Sequence, residues 1–168
     1  LLATAPAAET DRKLALAAIA VSGIAFLALA PFAKVPLPKL LLFVPAYQFA
    51  LIVNDLITAT LLYRQFEVLR ARRFLHVAAA YLFSAAMAVI HALSFPGLFA
   101  ANGLLGGDGQ TTAWLYMFWH AGFPALVITY ALAGPEAQSR KCAGPAGAIT
   151  RSVLGILAAA IALGVAAT

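Results

Sequence analysis

LLLFVPAYQFALIVNDLITATLLYRQFEVLRARRFLHVAAAYLFSAAMAVIHALSFPG, residues 40–97, decides the fold of this chain. Two long apolar runs, 40–63 and 74–95, flank a short burst of charge from Arg64 to Arg73. The hydrocarbon core of a bilayer is ~30 Å thick, and a helix needs about 20 apolar residues to cross it. Each run is long enough, and the arginines between them mark a return to water. The pattern predicts a transmembrane helical hairpin.

The same reading extends in both directions. Upstream, Asp11-Arg12-Lys13 opens an apolar run that gives a first span at 14–32, and the Pro-rich turn Ala33 to Lys39 joins it to the second. Downstream, Pro96-Gly97 ends the third span and a Gly-rich loop, Gly103 to Gly109, leads into a fourth at 111–133. After the polar stretch 134–150, a fifth runs over 151–168. A signal peptide would explain the first run alone, but four similar segments follow it, so a membrane anchor within a bundle is the better reading. The expected fold is an all-α integral membrane bundle of at least five transmembrane helices.

Composition agrees. Of 168 residues 64% are hydrophobic and only 10% charged, with a mean hydropathy of +0.94. Soluble domains are roughly 45–50% apolar and about 25% charged, so a water-soluble globule is excluded. Disorder and a coiled coil fail on the same numbers. The lone Cys142 excludes a disulfide framework within the chain. The net charge of +5 points to topology rather than to nucleic acid. With the N-terminus cytoplasmic, the inner segments hold Arg12, Lys13, Arg64, Arg70, Arg72, Arg73, Arg140, Lys141 and Arg151, and the outer ones hold only Lys34 and Lys39. Positive residues stay inside, which sets this orientation.

Polar residues inside apolar spans are the candidates for function. On the second helix Gln48 and Asp55 are seven apart, as are Tyr47 and Asn54, so one side is expected to present all four. Asp55 is the one acid well inside a span. His91 lies near the outer end of the third helix with Ser84 two turns away, and His120 lies in the fourth beside Trp119. The two imidazoles are placed to meet in the outer half near Tyr47 and Gln48. The candidate ligand-binding set is therefore Tyr47, Gln48, Asn54, Asp55, His91, Trp119 and His120. Two histidines on neighbouring helices also suit a haem iron or a transition metal, which would make His91 and His120 the centre of a membrane electron carrier. Trp114 fits an interfacial aromatic belt, and His76 reads as an interfacial residue. The segment Arg64 to Arg73 reads as an amphipathic extension with Phe66 and Leu69 against the membrane and its arginines near anionic headgroups. Pro45, Pro96 and Pro124 are candidate bends. In the fifth helix, Gly155 with Ala159 and Ala160 with Gly164 have the spacing of small residues that allows close approach of a second helix, a signal for dimerisation.

A series of phrases gives the chain a family resemblance: Pro31-Phe32-Ala33 with Pro36-Leu37-Pro38, Phe43-Val44-Pro45-Ala46-Tyr47-Gln48, Asn54-Asp55-Leu56-Ile57-Thr58-Ala59, and Tyr81-Leu82-Phe83. It continues through His91-Ala92-Leu93, Phe95-Pro96-Gly97-Leu98-Phe99, Gln110 to His120 and Gly122-Phe123-Pro124, and fades after Leu132. In these the chain resembles the fourth family of bacterial membrane-associated sensor domains. That resemblance implies a multi-pass sensory input module in a bacterial inner membrane, joined to a cytoplasmic histidine kinase or diguanylate cyclase and working as a homodimer. No kinase or cyclase motif is present, so the chain itself is expected not to be an enzyme. Five spans that start inside finish outside, so a cytoplasmic output domain would require a further span beyond Thr168. The expected function is recognition of a small apolar or membrane-borne ligand in the outer half, with a conformational signal passed inward.

The orientation can be tested by cysteine labelling in a Cys142→Ser background. A cysteine introduced near Glu67 should resist an impermeant reagent in intact cells, and one near Asp108 should react. The reverse pattern would overturn the orientation.

Overall fold

The computed structural model describes residues 8–35, 43–132 and 144–168, which form five long helices and, among the described residues, no strand. They are α1 (Glu9–Leu29, continued by a 3-10 turn at Ala30–Phe32), α2 (Phe43–Leu69), α3 (Arg72–Ser94), α4 (Gly109–Leu132) and α5 (Pro145–Ala166). All five are long and apolar enough to cross a membrane. Residues 40–42 and 133, together with the Pro36-Leu37-Pro38 phrase, Lys39, Arg140, Lys141 and Cys142, lie outside the described residues.

Two compact units divide the chain, Leu1–Lys39 and Leu40–Thr168. In the first, α1 opens with Glu9 and Asp11 in its first turn, where carboxylates oppose the positive end of the helix dipole. Asp11 accepts a hydrogen bond from the Ala8 amide at 3.1 Å and Lys13 pairs with Glu9 at 2.9 Å. From Leu14 onward α1 carries no charged residue.

The second unit is organised around α3. Its small residues Ala78, Ala80, Ser84, Ala85, Ala88 and Ala92 are all buried, and they let α2, α4 and α5 each pack against it. From α2 the row Gln48, Ile52, Asp55, Ala59, Leu62 and Phe66, spaced alternately four and three apart, turns away from the surface. At 27 residues α2 is about 40 Å long, so it outlasts the hydrocarbon and carries Arg64 and Glu67 past it. Phe66 differs from its expected place against the membrane. It is fully buried against Phe74 of α3 and Ala148 of α5, because the chain reverses within two residues, Arg70 and Ala71, and folds α3 straight back onto α2. Arg70 makes that reversal with a positive φ of 57°, and its amide bonds the Phe66 carbonyl at 2.8 Å.

On another side of α3, Phe83 and Met87 meet Leu115 and Trp119 of α4, with Ala160 of α5 in the same cluster. A Cβ at Gly122 would run into the Phe83 ring, so this glycine sets how closely α4 approaches. Pro124 is the one candidate bend found inside a helix away from its end. Pro45 stands in the first described turn of α2, and Pro96 lies in the turn after α3. In α5, Ala160 is buried and Gly164 faces Ile90 of α3, so this small-residue pair serves packing within the chain rather than a dimer seam. Among the described residues α2 and α4 make no close backbone contact with one another. Both pack on α3, and a gap remains between them.

The Gly-rich connection to α4 closes the end of α3. Leu104 and Leu105 donate their amides to the Leu93 carbonyl at 2.7 and 3.3 Å, satisfying an acceptor that the helix end leaves open. Side chains at Gly103 or Gly107 would collide with the Ser94 carbonyl. Asp108 then caps α4, its Oδ1 accepting the Thr111 amide at 2.7 Å. That backbone hydrogen bond to the charged form is the largest cause holding the Asp108 carboxyl below the ordinary carboxylate range.

A depressed folded-state pKa contributes stability that is fully present above the unfolded-state value and is lost as pH falls through the folded-state value. Asp108→Asn keeps an accepting side-chain oxygen but cannot titrate. The stability advantage of the native protein over Asp108→Asn, read by thermal unfolding, should be constant near neutral pH and shrink on acidification below the carboxylate range. A difference that does not change with pH would refute this role.

Candidate functional site

The gap between α2 and α4 is a cleft of about 460 Å³. Phe43, Val44, Tyr47 and Gln48 form one wall, Thr112, Ala113, Tyr116, Trp119 and His120 form the other, and His91 of α3 and Phe95 just after it lie between them. Gln48 is only 3% exposed and His91 only 7%. Two polar side chains so placed must find each other, since an unpaired polar group in an apolar medium costs several kcal/mol. They do: Gln48 Nε2 and His91 Nδ1 are 2.5 Å apart. This pair ties α2 to α3, and the Gln48 Oε1 is left buried with no hydrogen-bond partner.

Aromatic rings crowd the pair. The His91 ring centroid is 6.1 Å from that of Trp119, 6.4 Å from Tyr116 and 5.7 Å from Phe95. Trp119 is buried rather than turned to lipid, because its indole N–H donates to Ser84 Oγ at 2.8 Å. His120 sits at the rim, exposed, stacked on Tyr116 at 3.8 Å, with Nδ1 2.9 Å from the Tyr116 carbonyl. Tyr47, 54% exposed, stacks on Phe43 at 6.3 Å across the other rim.

Of the seven candidate residues, Tyr47, Gln48, His91, Trp119 and His120 line the cleft, and Asn54 and Asp55 do not. The four polar residues expected on one side of α2 separate. Gln48 and Asp55 are buried, and Tyr47 and Asn54 are exposed, since adjacent helical residues point about 100° apart. Nor are the second, third and fourth helices mutual neighbours, since the cleft keeps α2 from α4. Asp55 is 6% exposed and has no hydrogen bond or ion pair among the described residues. The contacts Gln48–His91 and Phe66–Phe74 fix an antiparallel register that brings Asp55 to the level of Ser84.

Both candidate metal ligands have Nδ1 occupied, by Gln48 for His91 and by a backbone carbonyl for His120, so only their Nε2 atoms remain for a metal. Among the described residues no group of three or more His, Cys, Asp or Glu gathers to complete a centre. His76 is exposed with Nδ1 2.9 Å from the Arg72 carbonyl, and Trp114, half-exposed, stacks on Phe118 at 5.8 Å. The Trp119–Ser84 bond and the walls made by Phe43, Phe95 and Tyr116 went unread in the sequence. The available signal was Ser84 on the same face as His91.

The isolated Asp55 carboxyl gives a stability prediction. Asp55→Leu removes a buried group without a partner and should raise the unfolding free energy in detergent by about 1–3 kcal/mol. A loss of stability would mean that the carboxyl holds a partner the fold depends on.

Comparison with curated proteins and with solved structures finds no match. Among protein families, residues 38–168 match MASE4, described as a membrane-associated sensor, integral membrane domain. The match starts after the Pro31-Phe32-Ala33 phrase and runs through α5, past the point where distinctive phrases fade. An Ala-rich helix offers few side chains by which to recognise it. With most of its length matched, and with five helices able to span a bilayer, the chain belongs to the MASE4 family of integral membrane sensor domains.

Proposed function

We propose that this domain is the input module of a bacterial signalling protein and that the cleft between α2 and α4 receives its stimulus, a small apolar or membrane-borne ligand. The observation that carries this reading is the cleft itself, with its aromatic walls and the buried Gln48–His91 pair at its base. With the N-terminus cytoplasmic, the cleft lies in the outer half of an inner-membrane domain. The opposite end, where Arg64 to Arg73 join α2 to α3, faces the cytoplasm. A ligand shifts the module only by binding one helix arrangement better than another. Here the movable quantity is the separation of α2 from α4, which the ligand bridges and which no close backbone contact between these two helices fixes. A homodimer in the membrane would present two such modules to a dimeric output domain, a histidine kinase or a diguanylate cyclase, which would carry any enzymatic activity.

His120 provides the test. Its ring is exposed and bonds a carbonyl of its own helix, so His120→Ala leaves no buried group unpaired. In the full-length signalling protein the variant should insert at normal abundance, with its output per unit of folded protein locked high or locked low. Unchanged specific output would overturn the reading.

A further inference from the structure

The Gln48–His91 hydrogen bond leaves hydrogen-bonding capacity over at both of its ends. With the amide as placed, Nε2–H donates to Nδ1, His91 carries its proton on Nε2, and Gln48 Oε1 is an acceptor without a partner. With the amide turned over, Oε1 accepts from Nδ1–H, the two amide N–H groups are spare donors, and His91 Nε2 is the spare acceptor. Either way at least one donor and one acceptor are left, on two side chains that line one cleft, and no hydrogen bond among the described residues takes up the Gln48 Oε1 acceptor. A ligand carbonyl answers only the donor, and an ammonium only the acceptor. A hydroxyl answers both from a single atom.

The rest of the cleft selects the frame that carries the hydroxyl. Phe43, Tyr47, Phe95, Tyr116 and Trp119 surround it with ring faces and edges, which pack best against another flat ring. We propose that the cleft binds a hydroxylated aromatic ring, its hydroxyl bridging Gln48 and His91. This is the chemistry of a phenol, and equally of a membrane-borne lipid with a hydroquinone headgroup. The inference rests on the cleft being the stimulus site, and it adds the group that the site recognises.

The test uses the purified domain in lipid nanodiscs and a pair of probes, 4-hexylphenol and its methyl ether, in which a methyl group replaces the hydroxyl hydrogen and removes the donor. Isothermal titration should show the phenol binding about tenfold tighter or more, the cost of leaving the pair unanswered. Gln48→Met should remove most of that preference. Tyr116→Ala, at the exposed wall, should weaken both probes alike and leave the preference standing. A hydroquinone with a ten-carbon tail, compared with its quinone and with 4-hexylphenol, separates the sources. Binding about tenfold tighter than both identifies a membrane lipid, and binding no tighter than the phenol identifies a free aromatic. Equal binding of phenol and ether, both weakened by Tyr116→Ala, would overturn the hydroxyl assignment and keep the cleft as an apolar site. Binding of neither probe would also overturn it, and the His120→Ala output measurement would still decide the cleft's role independently.

Discussion

An amide and an imidazole that cannot face hydrocarbon meet between α2 and α3, and much of the structure follows from where they meet. Gln48 and His91 are each nearly solvent-free, and their hydrogen bond is a polar contact between these two helices across their buried face. It fixes the register. One residue of slip on α2 would turn Gln48 by about 100° and bring the wrong row of side chains to α3. With the pair in place, Phe66 comes to rest on Phe74 at the far end and Asp55 arrives opposite Ser84. The hydrophobic effect gives little drive between helices in lipid, so a few polar contacts and close packing carry the specificity.

The second determinant is the smallness of α3. Alanines and serines on several of its faces let three other helices approach it, so it takes the central place that a bulkier helix could not. Its centrality in turn makes the cleft. Because α2 and α4 both satisfy their buried rows against α3, neither needs the other, and the space between them is filled only partly by aromatic rings. Gly122 adjusts the α3–α4 spacing by leaving room for the Phe83 ring, and the Trp119–Ser84 bond holds the indole inward.

The helical membrane fold was legible in the chain because hydropathy and charge act over whole segments, and no tertiary contact is needed to see them. The cleft residues on α3 and α4 were legible for a related reason: His91, Trp119 and His120 are rare types in apolar helices, at similar depth. Spacing alone could not separate Gln48 from Tyr47 or Asp55 from Asn54, since residues one apart sit close enough on a helix to share a side until a neighbour chooses between them. Phe66 was misplaced for the same kind of reason. Its burial depends on the two-residue reversal at Arg70, and a charged stretch of that composition equally suits a longer surface helix. The small residues of α5 carry no mark of whether they approach a helix of the same chain or of another.

The α2–α3 hairpin is closed at both ends, by the tight reversal at Arg70 and Ala71 and by the Gln48–His91 bond. A structure clamped in this way behaves as a pair of tongs with its pivot at the arginines. The arm from the pivot to His91 is about 30 Å, so prising the jaws apart by about 1 Å rotates one helix against the other by only about 2°. Such a rotation barely displaces the atoms of the basic segment at the pivot and changes only the tilt between the two helices that leave it.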